Sequence, residues 1–152
     1  MLTKYHITIG AIASIILYLI FQLTPLQTLI IFLASFLIDV DHYLYYIFHK
    51  KNLSLKNAHH WFIEKRKKWV KLTRKQKEEH KHVIIIFHGI EYLIILIFLS
   101  FYNPVFTFII IGTLIHLVLD YIDLYYHKEK LHSKFSQIYT YIKNKNKNKF
   151  LI

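Results

Sequence analysis

The sequence predicts an all-α integral membrane protein, a four-helix bundle with a basic segment between the second and third helices. Three observations carry this prediction. The 152 residues are 55% hydrophobic and 17% aromatic, which is more apolar surface than a soluble domain of this size can bury. The formal net charge is nevertheless +11, and the charged residues are separated from the apolar runs. Four of those runs are long enough to cross a hydrocarbon core of about 30 Å at about 1.5 Å per residue.

The first two apolar runs occupy residues 5–23 and 25–48. The first run is too long for the core of a secretory signal peptide and has no small-x-small cleavage site at its end, so we expect a retained helix. Pro25 suits the first turn of the second helix, where a missing N–H costs no hydrogen bond. The second run ends with acidic residues, a histidine and several tyrosines, and tyrosine is typical of the membrane–water boundary.

Basic residues dominate the segment 49–81, which holds twelve Lys or Arg against three acidic residues. Apolar and aromatic side chains interrupt them at roughly helical spacing, which predicts an amphipathic helix on the membrane surface. Two more apolar runs follow at residues 83–102 and 104–126. We expect one membrane-embedded domain over residues 1–142 and a disordered, basic, low-complexity tail over residues 143–152.

The distribution of positive charge predicts the orientation in the membrane. Nineteen of the twenty Lys and Arg residues lie between the second and third helices or after the fourth, and the other is Lys4. By the positive-inside rule, both termini and the basic segment are expected in the cytoplasm, where they attract anionic lipid headgroups. Basic charge also suits nucleic acid, but no aromatic stacking platform of an RNA-binding type is evident, so we expect no specific nucleic-acid partner.

This topology brings ionisable residues of all four helices to the same, cytoplasmic half of the bilayer. Several of them pair at spacings of three or four residues, which places both members on one helix face. Charged groups are costly in hydrocarbon, so four such sets at one depth are more typical of a shared polar chamber than of isolated hydrogen bonds. Because the chain has no cysteine, a metal site here must use imidazole and carboxylate ligands. The expected ligands are His6, Asp39, Asp41, His42, His88, His116 and Asp120.

These residues resemble the motifs of a family of inner-membrane-bound, metal-dependent hydrolases, small helical proteins related to zinc-dependent phospholipases C. The family combines an early histidine, a Pro-Asp-x-Asp-His run, a His-Arg-Gly-x-Thr-His-Ser motif and a His-x-x-x-Asp pair. His6 is similar to the first of these, and His116 with Asp120 is similar to the last. The second corresponds to the run from Ile38 to His42, in which Ile38 stands in place of the proline.

The third motif of the family is absent, and Phe-His-Gly-Ile-Glu-Tyr at 87–92 stands in its place. The resemblance implies that His88 keeps one ligand role, with Glu91 substituting for another group, as a ligand or as the general base that positions water. It also implies a hydrolase that uses one or more divalent ions, most plausibly Zn²⁺. The expected substrate is a phosphoester, such as a phospholipid headgroup at the cytoplasmic face.

A second class of function stays open. Clusters of His and Asp in membrane helices also mark ion pathways, so a metal or ion transporter, or a non-catalytic metal-binding membrane protein, is the alternative. Against transport, the polar residues occupy only one leaflet, and a path across the membrane would need a homo-oligomer. Four histidines in or next to the basic segment are expected to be solvated surface residues. They are His59, His60, His80 and His82.

Overall fold

The computed structural model describes residues 3–129 and 135–147, and the regular elements in these ranges are helices. The prediction of an all-α protein is confirmed. The helices are α1 (Thr3–Phe21), α2 (Pro25–Leu37), α3 (Val40–Lys50), α4 (Leu55–Lys71), α5 (Arg74–Glu79), a 3₁₀ helix (Ile86–His88), α6 (Ile90–Ser100), α7 (Val105–Tyr126) and α8 (Gln137–Lys145).

Three segments of the described chain are long and apolar enough to cross a membrane. They are Thr3–Phe21, the α2–α3 pair taken together as Pro25–Lys50, and Val105–Tyr126. They correspond to the first, second and fourth predicted runs. Helix α6 has only 11 residues and is roughly 16 Å long, about half of the hydrocarbon core. The third predicted helix is therefore much shorter than expected, and a four-helix bundle is not confirmed.

The third run departs from a continuous helix because side chains from elsewhere take its backbone donors. The N–H of Ile85 donates to Gln137 Oε1 at 3.0 Å, and the N–H of Phe87 donates to Asp41 Oδ2 at 3.0 Å. Gly89 then has extended backbone angles, φ −105° and ψ 163°, immediately before α6. Two donors that a helix would have paired internally are thus satisfied by tertiary contacts.

Helix α2 packs between α1 and α7, and two glycines allow this close approach. A Cβ atom on Gly10 of α1 would lie 2.0 Å from Ser35 Oγ, and one on Gly112 of α7 would lie 2.4 Å from the carbonyl oxygen of Ile31. Small residues that let helix backbones approach are typical of helix pairs in membranes. The outward faces of α1 and α7 are apolar and exposed, as a lipid-facing surface requires.

The basic segment is helical over α4 and α5, and ion pairs tie it to the end of α7. Arg66 Nη2 donates to both carboxylate oxygens of Asp123, at 2.8 and 2.9 Å. Lys77 Nζ lies 2.5 Å from Glu129 Oε1, just beyond α7. Helix α4 is thereby held across the end of the bundle where α7 finishes.

Part of the predicted tail also has regular structure. Helix α8 continues to Lys145, although disorder was expected from residue 143 onwards. The amide of Asn144 bonds to the backbone of His82 in both directions, at 3.0 and 2.8 Å. Side-chain hydrogen bonds to a distant part of the chain therefore hold this low-complexity stretch in place. Residues 148–152 lie outside the described residues.

Candidate metal centre

Imidazole and carboxylate groups from several parts of the chain converge at one end of the bundle formed by α1, α2 and α7. They form three overlapping groups of three residues, and within each group the potential ligand atoms lie within 4.8 Å of one another. These buried groups can hold a metal ion. The groups contain six of the seven predicted ligands, namely His6, Asp39, His42, His88, His116 and Asp120.

The pair His88 and His116 lies at the centre of the cluster. Their Nε2 atoms are 3.0 Å apart, and both side chains are completely buried. Asp39 Oδ1 lies 3.4 Å from Nε2 of His88 and 3.6 Å from Nε2 of His116. Asp120 Oδ2 lies 3.7 Å from each of the same nitrogens. Two ring nitrogens and two carboxylate oxygens therefore face one small volume.

The carbonyl of Ser35 fixes the tautomer of His116. A carbonyl oxygen can only accept, so its 2.9 Å contact with Nδ1 means that this nitrogen carries the hydrogen. In a continuous helix the N–H of Asp39 would bond to this carbonyl, but it bonds to the carbonyl of Phe36 at 3.2 Å. The end of α2 thus leaves the Ser35 carbonyl for His116, and Gly112, one turn earlier on α7, allows the approach.

Asp41 fixes the tautomer of His88 in a similar way. Its Oδ2 lies 3.1 Å from His88 Nδ1 and also accepts the Phe87 N–H. An ionised carboxylate only accepts, so Nδ1 again carries the hydrogen. A carboxylate behind a ligating histidine is a common arrangement in metal sites. The contacts of Asp41 place it behind His88 and outside the three groups, so its direct coordination of metal stays a prediction.

The residues present fit a cation. With both Nδ1 atoms protonated, the two Nε2 atoms point their lone pairs at each other, and the nearby carboxylate oxygens are also acceptors. Such a set is unfavourable in a buried site without a positive charge. Two nitrogen ligands at about 2.0–2.1 Å from a tetrahedral zinc ion lie roughly 3.3 Å apart. The observed separation of 3.0 Å needs only a small adjustment to reach that geometry.

His6 closes the cluster from the side of α1. Its ring stacks on His116 with centroids 3.9 Å apart and planes 13° apart, and its Nε2 lies 3.5 Å from Asp120 Oδ1. The side chain is completely buried, and neither ring nitrogen has a hydrogen-bond partner among the residues that the structure describes. An unsatisfied buried polar group costs about 1–3 kcal/mol, a cost that a bound ligand would remove.

The cluster has one more accessible side, formed by Asp39 and His42. Their side chains are 16% and 26% exposed, whereas those of His6, His88, His116 and Asp120 are at most 3% exposed. The two lie 3.6 Å apart, from Asp39 Oδ1 to His42 Nε2. Thr3 Oγ1 donates to Asp39 Oδ2 at 3.2 Å, and the ring of Phe62 on α4 packs edge-on against His42. Solvent or a ligand would therefore approach the cluster between α1, α3 and α4.

Glu91, the predicted general base, has a different environment. Its carboxylate accepts from Ser136 Oγ at 2.5 Å and from the backbone N–H groups of Gln137 and Ile138 at 3.1 Å. These donors form the start of α8, where a negative charge is favourable. The break before α6 also separates Glu91 from His88, so they do not form the predicted pair on one helix face. A catalytic role for Glu91 stays a prediction.

The four histidines that were expected on the surface divide into two pairs. His59 and His60 are exposed, as predicted. His80 and His82 are partly buried, because their backbone groups bond to Lys147 and Asn144 around the end of α8. The packing of α8 against this segment explains the difference.

Sequence reasoning missed the residues that support the ligands. The Ser35 carbonyl is a backbone group and leaves no pattern in the side chains. Gly112 lies four residues before His116, so the two share a helix face. In the sequence, that spacing is the one signal that Gly112 supports the position of His116. Phe62 and Arg66 were treated only as part of a basic amphipathic helix, although both lie beside the open face of the cluster.

Comparison of the chain with protein-family models, curated proteins and solved structures finds no match. The resemblance to membrane-bound hydrolases therefore stays a prediction that rests on short motifs. Function must be argued from the chemistry and geometry of the site.

Proposed function

We propose that the protein is a membrane-embedded, metal-dependent hydrolase of a phosphoester. The observation that supports this most strongly is the pair of opposed Nε2 atoms of His88 and His116, flanked by two carboxylates. Catalytic zinc sites typically have three His or carboxylate ligands and keep one position open, whereas structural sites are closed. The accessible side at Asp39 and His42 is where a substrate would reach the ion.

The ligand set favours zinc or a similar transition ion over magnesium, since imidazole nitrogens make up much of it. His88 and His116, with Asp39 or Asp120 as the third ligand, would hold the first ion and leave one position open. A divalent ion supplies Lewis-acid polarisation of a phosphoryl oxygen and lowers the pKa of water towards 7.

The number of ions depends on how the ring nitrogens are shared. Each of His88 and His116 would coordinate through Nε2, because the Nδ1 atoms are bonded to Asp41 and to a carbonyl. A single ion would use both Nε2 atoms. If two ions bind, His6, Asp39 and His116 would hold one, and Asp39, His42 and His88 would hold the other.

In the one-ion arrangement, His42 does not coordinate the ion and can act on a proton. Its Nε2 can take a proton from the attacking water, and Asp39 Oδ1 at 3.6 Å stabilises the imidazolium that forms. Thr3 holds the other oxygen of Asp39, which limits rotation of the carboxylate. Burial of the remaining ligands keeps bulk water away from the rest of the cluster.

We further propose that the substrate is an anionic lipid or a related amphiphile at the cytoplasmic face. The cluster lies at the end of the apolar helices rather than at their middle, and the basic helix α4 packs over it. Positive charge in that position attracts anionic headgroups. By the positive-inside rule, the same charge favours a cytoplasmic location for this end of the bundle and for both termini, and this location is part of the proposal.

The test is metal analysis and hydrolysis on protein purified in detergent and returned to lipid nanodiscs. We expect at least one equivalent of a transition metal, and metal-dependent hydrolysis of p-nitrophenyl phosphate or a short-chain phospholipid. His116→Ala should abolish both, whereas Val70→Ala on the exposed face of α4 should change neither. Protein that is folded but binds no transition metal at micromolar concentrations would contradict the proposal.

Ion transport is the second candidate, because His6 is completely buried and its ring nitrogens make no hydrogen bond within the described residues, which also suits an intramembrane ion site. Proteoliposomes that take up metal ions, and lose this flux in an Asp39→Ala variant, would favour a transporter. Metal-dependent hydrolysis without flux would favour the enzyme.

A further inference from the structure

A cavity of about 480 Å³ opens onto Asp39 and His42, the two exposed members of the cluster. It lies between the start of α1, helix α3 and helix α4. Its size is within the range of about 300–1,000 Å³ that is usual for pockets that bind small molecules. The metal centre therefore has a neighbouring space large enough for most of a small substrate.

Helix α4 supplies most of the apolar lining of this cavity. Leu55, Phe62 and Ile63 line it from α4, beside His59 and Arg66 of the same helix. The apolar side chains can bind hydrocarbon, because each buried methylene is removed from water. The cavity thus combines the polar groups of Asp39 and His42 with apolar side chains of α4.

Arg66 adds a cation to the same cavity. Asp123 engages only its Nη2 atom, and within the described ranges Nη1 and Nε make no hydrogen bond. The guanidinium therefore keeps donors for an oxyanion, for which its planar geometry is well suited. Asp39 on the facing wall would repel an anion, unless a bound cation offsets its charge.

We propose that this cavity is the substrate site and that it selects a phosphoester carrying an apolar chain. The phosphoryl group lies between the metal centre and Arg66, and the chain lies along Leu55, Phe62 and Ile63. This inference rests on the proposed hydrolase function, because the anion needs the cation at Asp39. It adds which residues bind the phosphoryl group of the substrate and which contact its apolar chain.

The test uses phosphonates, whose P–C bond resists hydrolysis, and protein in nanodiscs loaded with Zn²⁺. Isothermal titration calorimetry should show that hexylphosphonate binds at least tenfold more tightly than methylphosphonate, because the added methylenes are buried. Ile63→Gln should remove most of that preference, and Arg66→Gln should weaken both ligands by a similar factor. Removal of zinc should abolish binding of both, while hexyltrimethylammonium should bind poorly throughout.

Val70→Gln is the matched control, since Val70 lies on the same helix but outside this cavity. Equal affinity for the two phosphonates, or a preference for the ammonium ion, would overturn the inference even if zinc binds normally. Failure to bind zinc would instead count against the proposed function. Competition by phosphatidic acid in the nanodisc would identify a membrane lipid as the source of the ligand, and binding of hexylphosphonate without such competition would identify a soluble phosphoester.

Discussion

The Nε2 atoms of His88 and His116 face one another at 3.0 Å, while each Nδ1 atom donates to an acceptor behind its ring. In the neutral rings, these outer contacts leave both Nε2 lone pairs facing inward. In helices that otherwise carry apolar side chains, this arrangement has a large electrostatic cost unless a cation is bound. Binding of that cation should therefore depend on both rings.

Replacing His116 with alanine should reduce affinity for Zn²⁺ by at least 100-fold, because one of the two converging nitrogens is lost. His60→Ala is the control, since His60 is exposed on α4. The measurement is competition with a chromogenic chelator in nanodiscs. Equal loss of affinity in the two variants would mean that the effect is not specific to the cluster.

Asp41→Asn should weaken metal binding by about 10–100-fold without changing the number of ions bound, the usual effect of removing a partner behind a ligating histidine. The asparagine oxygen can still accept from His88 Nδ1, but it lacks the negative charge. Elemental analysis at saturating zinc gives the stoichiometry, and chelator competition gives the affinity. If a full equivalent of metal is lost at saturation, Asp41 is a direct ligand.

Gly112→Ala should lower the free energy of unfolding by about 1–3 kcal/mol, because its new Cβ would meet the backbone oxygen of Ile31 at 2.4 Å. The cost of Gly10→Ala should be smaller, since the nearest obstacle there is the hydroxyl of Ser35, which can rotate. Unfolding in mixed micelles measures both. Metal affinity should also fall in Gly112→Ala, as the shift moves His116 away from α2.

Glu91→Ala should release α8, because three hydrogen bonds at the start of that helix depend on this carboxylate. We expect faster hydrogen exchange of the amides in Gln137–Lys145, with little change in α7. Glu91→Gln should have a smaller effect, as it keeps an acceptor. A large loss of hydrolysis in Glu91→Gln, without faster exchange in α8, would instead indicate the general base that the sequence predicted.

The burial of Lys65 should make the free energy of unfolding depend on pH. Its ammonium lies over the rings of Tyr45 and Trp61, and burial, with a smaller contribution from Lys50, lowers its pKa from 10.5 to about 8. The unfolded chain then binds more protons than the folded one between about pH 8 and 10.5, so the free energy of unfolding should rise with pH across this window.

Below about pH 8 this contribution should be constant and unfavourable, since the residue is charged in both states. Lys65→Met should flatten the rise in stability, and mass spectrometry should show Lys65 acylated at lower pH than the same lysine in denatured protein. Equal labelling profiles in the folded and denatured states would contradict the shift.

The sequence predicted the helical class and most of the cluster, because both depend on strong local signals. Apolar runs must be long to cross a bilayer, and an ionisable group within one is costly enough to stand out. Asp39, His116 and Asp120 could therefore be singled out with no knowledge of their neighbours. Their depth along the predicted helices placed them at one end of the bundle.

The remaining features depend on contacts between residues far apart in the chain. The start of α6 is set by Asp41 bonding to Phe87, and the support of His116 comes from a carbonyl 81 positions earlier. Neither contact leaves a periodic pattern. Gly89 was a visible local hint of a helix break, but an isolated glycine does not by itself end a helix.

His6 and Asp120 lie 3.5 Å apart although 114 positions separate them, and they belong to the first and last apolar helices. A chain that enters the membrane from its N-terminus carries a buried histidine without a partner until α7 arrives. The two groups that contain His116 can form only after α7 has been inserted, so metal binding by these groups should follow the insertion of α7. Once an ion is bound there, it would oppose the separation of α1 from α7.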